Sequence, residues 1–137
     1  MGALIVTGAS RGIGAAIARL AAARGYAVAV NFSSGETEAN KIAADIVAAG
    51  GHAIPIHADI SSEDQILTLF QTAERELGPI KGLVNNAGVA GGFARVENVT
   101  AEAIEKTFAV NVTGAMLCAR EAVRRMSTKR VDPAGQS

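Results

Sequence analysis

Three glycines, Gly8, Gly12 and Gly14, stand within the stretch Thr7-Gly8-Ala9-Ser10-Arg11-Gly12-Ile13-Gly14. Each removes a side chain where a turn must be tight or where a phosphate must come close to the backbone. The apolar run Ala3-Leu4-Ile5-Val6 precedes the stretch and an alanine-rich segment follows it, so the pattern is a buried strand turning abruptly into a helix. Such a helix aims its free N–H groups at the turn, which suits the pyrophosphate of a dinucleotide. The spacing is G-x-x-x-G-x-G rather than G-x-G-x-x-G, so the glycines carry less weight than the order strand, turn, helix around them. Gly8, Ser10, Arg11, Gly12, Ile13 and Gly14 are the candidate contacts in this cradle.

The same stretch bears on which dinucleotide would fit. Arg11 lies inside the glycine turn, where its guanidinium can reach an adenosine 2'-phosphate; the plainer alternative is a solvated loop arginine. A carboxylate that binds a ribose 2'-OH is expected roughly 20 residues after the turn. The sequence there reads Asn31-Phe32-Ser33-Ser34, without an acidic residue. NADP is therefore favoured over NAD, with Ser33 and Ser34 as phosphate donors, although Ser33 also fits as a helix cap. Glu36 is the residue that could repel the phosphate.

These groups need elements to position them. Ala3–Val6 reads as a continuous apolar strand of a parallel sheet covered on both faces. A first helix is expected to bury Ile13, Ile17, Leu20 and Ala21 and to end at Gly25. A second strand covers Ala27–Phe32, and Ser33 with Glu36 has the offset of a capping box before the stripe Ala39, Ile42, Ala43, Ile46. The third strand, residues 53–58, contains Pro55, which cannot donate to a ladder and so belongs at a sheet edge. Ser61 is expected to cap a helix with the stripe Ile66, Phe70, Ala73, Leu77 that stops at Gly78-Pro79, and Leu83-Val84 forms strand four. Right-handed crossovers then give an α/β fold, a doubly wound parallel sheet of order 3-2-1-4. Its ligand crevice lies where the order reverses, beside the glycine turn and Asn85-Asn86. Residues 89–99 read as a glycine-bearing loop, and Thr100 caps one long helix with the stripe Ile104, Phe108, Val112, Ala115, Ala119, Val123.

Composition narrows the classes of function. Thirteen Lys and Arg balance thirteen Asp and Glu in 137 residues, so no net field attracts nucleic acid or an anionic membrane. Cys118 is the one cysteine, and Met1-Gly2 runs straight into the first strand, which leads to the expectation of a cytoplasmic protein. Arg11, Arg19 and Arg24 interrupt the most apolar region, short of the roughly 20 residues a membrane helix needs. His52 and His57 have no companion ligands at metal-binding spacing, so no metal site is expected.

Taken together, Thr7 to Gly14, Asp59, Asn85-Asn86-Ala87-Gly88 and Asn111 resemble the short-chain dehydrogenase/reductase family, over residues 1 to about 126. The resemblance implies a Rossmann-type fold and an oxidoreductase that passes a hydride between NADP(H) and a carbonyl or alcohol. It implies that Asp59 contacts the adenine amino group and Ile60 flanks the adenine ring. Asn86, Ala87 and Gly88 would line the nicotinamide ribose side, and Asn111 would hold a proton-relay water beside a catalytic lysine. Turn chemistry alone remains the alternative for the asparagines after strand four, and a strand-end aspartate for Asp59. The family's Ser and Tyr-x-x-x-Lys cannot be assigned, because Tyr26 is the single tyrosine and Val30 stands four residues on. The expectation is a dinucleotide-binding domain over 1–126 with a polar, disordered tail over 127–137. In isolation it would be inactive and prone to self-association; the alternative is a non-catalytic nucleotide-binding module or remnant.

Overall fold

Short apolar runs alternating with amphipathic stretches fold into a four-stranded parallel sheet flanked by helices in a computed structural model that describes residues 1–92 and 94–128. The elements are β1 (Ala3–Val6), α1 (Gly12–Ala23), β2 (Ala27–Phe32), α2 (Glu36–Ala48), β3 (His52–His57), α3 (Glu63–Leu77) and β4 (Ile80–Val84). A single 3-10 turn (Val96–Asn98) is followed by α4 (Ala101–Phe108), a π-helical segment (Ala109–Gly114) and α5 (Ala115–Met126). The strand order is β3-β2-β1-β4, as the sequence pattern implied. Pro55 pairs with Val30 on one side, and its missing N–H faces the outer edge of the sheet.

Alternation along the strands splits the interior into two cores. Val6, Val28 and Val30 point to one face with α1 and α2, whereas Ala3, Ile5 and Ala29 point to the other with α3 and α5. Phe70, Ile66 and Leu69 are completely buried in the second core. Apolar burial stabilises by roughly 25 cal/mol per Å2, so these bulky side chains of α3 outweigh the alanines of α1 residue for residue.

Several local expectations are corrected. Helix α1 buries Gly14, Ala15, Ala18, Ala21 and Ala22, and leaves Ile13 and Leu20 exposed. Small residues let its axis approach the sheet closely, so the bulkier side chains turn outward. Ser33 does not cap α2; that place is taken by Gly35 in the left-handed conformation, φ +82°. Ser62 rather than Ser61 caps α3, its hydroxyl accepting the Gln65 N–H at 3.4 Å. Thr100 does cap α4, accepting the Ala103 N–H at 3.1 Å. The single long helix is instead interrupted by the π-helical segment, and Ile104, Phe108, Val112 and Val123 are exposed. Gly114, Cys118 and Ala122 face the interior, because a Cβ on Gly114 would run into the Ile60 carbonyl. The tail expected over 127–137 lies, from residue 129, outside the described residues.

Helix α5 carries a buried carboxylate that the sequence did not mark out. Glu121 is 2% exposed and accepts from Arg125 at 2.9 Å on Oε1, and from Arg120 at 3.0 Å and Arg124 at 2.9 Å on Oε2. Arg125 also lies 5.3 Å over the Phe70 ring and reaches Glu74 at 3.3 Å, which ties α5 to α3. Burial by itself would raise the Glu121 carboxyl, but the hydrogen bonds from Arg125 and Arg120 outweigh it and hold the group below the usual range. The neighbouring Cys118 thiol is pushed up to about 11, mainly by burial and then by the Glu121 charge.

A depressed carboxyl contributes stability above its unfolded pKa and loses that contribution as pH falls through its folded one. Glu121→Gln is expected to destabilise the protein by about 1–3 kcal/mol near neutral pH, because it strands partly buried guanidinium groups. Thermal melts should show the gap from wild type closing below about pH 4. A gap that persists unchanged in acid would mean that the charge is irrelevant to the tie.

Candidate functional site

At the carboxyl ends of the strands, the turn after β1 and the loops after β2, β3 and β4 open around a crevice of about 550 Å3. Gly8, Ser10, Arg11, Gly12, Ile13, Ser33, Ser34, Asp59, Ile60, Asn86, Ala87 and Gly88 line it. Two residues picked from the sequence do not. Gly14 sits beneath the turn, where a Cβ would meet the Gly8 carbonyl and the Asn86 amide, and Asn111 lies off the crevice on the π-helical segment.

The turn itself is held by backbone conformation. Gly8 and Gly12 have φ of +61° and +57°, which side-chain-bearing residues adopt at a cost. A Cβ on Gly12 would point into open space, whereas one on Gly8 would press on the Ala87 backbone at 2.9 Å. The first turn of α1 contains no acidic residue and its cap has no side-chain hydrogen bond, so the N–H groups that open the helix face the crevice without competition. Arg11 is exposed at the mouth, and its Nη2 donates to Ser34 Oγ at 3.4 Å.

Thr7 joins this turn to the end of β4. The residue is 1% exposed, and its hydroxyl accepts the N–H groups of Asn86 at 3.0 Å and Ala87 at 2.9 Å and donates to the Val84 carbonyl at 3.4 Å. Asn86 returns the contact, with Nδ2 donating to the carbonyls of Thr7 and Gly8, each at 3.0 Å. Asn85 reaches the other way, to the Ala115 carbonyl at 3.0 Å. Asn111 pairs with both polar groups of the Val89 backbone, at 2.8 and 2.7 Å, and so ties the chain beyond Gly88 to the π-helical segment.

On the far wall, Asp59 Oδ1 accepts from the Ser61 N–H at 2.8 Å and the Ser61 hydroxyl at 2.7 Å. The Ser61 hydroxyl, then its N–H, hold the Asp59 carboxyl below its ordinary range despite partial desolvation. Gln65 Oε1 accepts the Asp59 N–H at 2.8 Å, which fixes where this loop leaves β3. Both contacts to the carboxylate fall on Oδ1, which leaves Oδ2 for a donor in the crevice.

The family model described as short chain dehydrogenase matches residues 3–132. The chain belongs to the short-chain dehydrogenase family. Among curated relatives, the uncharacterized oxidoreductase YgfF of Escherichia coli (strain K12) is 46% identical over 129 residues, which is 94% of this chain and 52% of that protein. Versicolorin reductase 1 of Dothistroma septosporum is 40% identical over 123 residues, 90% of this chain and 46% of the other. Among solved structures, a short chain dehydrogenase from Burkholderia cenocepacia J2315 in complex with NADP superposes with a TM-score of 0.86 at 34% identity, covering 90% of this chain and 50% of that one. A dehydrogenase/reductase from Sinorhizobium meliloti 1021 gives a TM-score of 0.87 at 34% identity, covering 91% of this chain and 49% of that one. The chain thus spans about half the length of the relatives it matches.

Four crevice residues escaped the sequence reading as site residues: Asn31, Phe32, Val89 and Val110. Asn31 had a legible signal, an amide inside the apolar strand Ala27-Val28-Ala29-Val30-Asn31-Phe32. Val110 had none, since only the π-helical segment turns it toward the crevice. Thr7→Val keeps the shape of the junction and leaves two N–H groups unpaired. It is expected to lower stability by about 2–6 kcal/mol, at about 1–3 kcal/mol for each orphaned group, with Thr7→Ser recovering most of the loss in denaturant titrations. Equal stability of Thr7→Val and wild type would show that water replaces the hydroxyl.

Proposed function

We propose that the crevice binds NADP(H) and that this chain is the dinucleotide-binding part, residues 1–126, of an oxidoreductase acting on a carbonyl or alcohol. The observation that carries the reading is the pairing of Arg11 with Ser34 at the mouth of a crevice whose β2 end, Asn31-Phe32-Ser33-Ser34, offers no carboxylate. The free N–H end of α1 and the open space over Gly12 suit a pyrophosphate, and Ser33 and Ser34, both exposed, are available as donors to a 2'-phosphate. Asp59 and Ile60 would receive the adenine, while Asn86, Ala87 and Gly88 would border the nicotinamide ribose. The NADP of the Burkholderia cenocepacia relative supports the same choice. Bound there, the cofactor supplies the hydride; the protein residues described here bind and orient it.

Among these 137 residues no Tyr-x-x-x-Lys pair exists to deliver a proton, and Asn111 is the one member of the family's catalytic set that the sequence offers. The same observation favours a second reading of the chain by itself, a nucleotide-binding module without turnover. Self-association fits either reading, since β4 has no strand on its outer side among the described residues and Ile104, Phe108 and Val112 lie exposed along α4 and the π-helical segment. No helix among the described residues is long and apolar enough to cross a membrane. A cytoplasmic location completes the proposal, on the single unpaired cysteine.

Calorimetric titration tests the cofactor assignment. A charge-assisted hydrogen bond contributes about 1.5–3 kcal/mol, so NADPH is expected to bind about tenfold or more tightly than NADH, and Arg11→Ala to erase that preference. Equal affinities in the wild type would sink the choice of NADP. Proton delivery by a general acid is typically worth about 10²- to 10⁴-fold, so the purified chain of verified mass should bind without reducing a panel of aldehydes and ketones. Cofactor-dependent turnover would overturn the non-catalytic reading and leave the binding assignment standing.

A further inference from the structure

Near the end of β2 the side chain of Asn31 is 1% exposed, and every polar atom it carries is used. Its Oδ1 accepts the Gly8 N–H at 3.2 Å, and its Nδ2 donates to the carbonyls of Ile56 and Ala58, each at 3.2 Å. Its own carbonyl accepts the Ala9 N–H at 2.8 Å. One residue therefore touches the glycine turn on one side and the exit of β3 on the other, and these are two walls of the crevice. Beyond Gly8 come Arg11 and the start of α1; beyond Ala58 come Asp59 and Ile60.

The Gly8 peptide is consequently gripped from both neighbouring strands. Asn31 of β2 holds its N–H, and Asn86, after β4, holds its carbonyl. This brace fixes a residue at φ +61°, from which the rest of the turn departs. The chemistry leaves few alternatives at position 31. An acceptor and a two-pronged donor are needed on one short neutral group; aspartate has no donor, leucine has neither, and serine cannot span both walls.

We infer that Asn31 is a positioning residue that sets the distance between the glycine turn and the Asp59–Ile60 wall, and through it the affinity for the adenosine half of the cofactor. The inference rests on the dinucleotide reading above. A purely structural amide, present to satisfy carbonyls where the β2–β3 ladder ends, would affect melting without affecting the folded crevice.

The test is calorimetry of the full 137-residue chain with 2',5'-ADP, well below the melting temperature, for wild type, Asn31→Leu and Asn31→Ser, neither of which adds charge. Amide hydrogen exchange at Gly8 is followed in parallel. Both variants are expected to bind about tenfold or more weakly, with Gly8 exchanging faster while the Val28 and Val30 amides stay protected. Lowered melting temperatures with unchanged affinity and unchanged Gly8 exchange would overturn the positioning role. Loss of the fold in both variants would overturn it too, making Asn31 a determinant of folding. No binding of 2',5'-ADP by the wild type would remove the dinucleotide reading itself, and the role of Asn31 with it.

Discussion

Everything at the carboxyl end of the sheet depends on how β1 leaves the core. Thr7 and Gly8 stand where a strand flanked by β2 and β4 must turn out of a dry interior, and a buried peptide group without a partner costs about 1–3 kcal/mol. Three side chains meet that demand: the Thr7 hydroxyl, the Asn31 amide and the Asn86 amide. They do so without using the N–H groups that open α1. The result is a turn whose inner surface is fully paired and whose outer surface keeps its donors, which is the physical requirement for receiving an anion on backbone.

The second constraint is distance. Helices α1 and α5 approach the sheet and the β3–α3 loop closely because Gly14, Ala15, Ala18 and Ala22 on one, and Gly114, Cys118 and Ala122 around the other, present almost no side chain. Closeness is what allows Asn86 to reach under the glycine turn and the π-helical segment to bring Val110 to the crevice. Bulk comes instead from α2, with Ile42 and Ile46 in one core, and from α3, with Ile66, Leu69 and Phe70 in the other.

Strand order, edge placement of Pro55 and most of the crevice were legible because they rest on features a sequence displays directly: glycines, breakers, and runs of period two or 3.6. The faces of α1 and of α4 through α5 were not. A periodicity argument gives most weight to the largest apolar residues, so it assigned Ile13 and Leu20 to the interior. Where helices pack at close range the interior positions are the smallest residues, and the large ones are displaced outward. Asn31 was passed over for a different reason. The amide inside an apolar strand was a visible signal, but its three partners are backbone groups of residues 23 to 27 positions away, so the sequence does not say what it bonds.

The same geometry makes the crevice a product of the strand ends. Backbone and amides from four strand ends form the crevice, with Gly8 as its first lining residue and Val110 as its last, and each wall is secured by hydrogen bonds among residues that are present. One corner holds the Arg11–Ser34 pair beside a β2 end that carries no carboxylate. Asn111, off the crevice, is committed in both directions to the Val89 backbone. An amide bonded in both directions can orient the loop beyond Gly88, but it has no proton to give. In the dinucleotide reading proposed above, affinity is therefore a property of the strand ends.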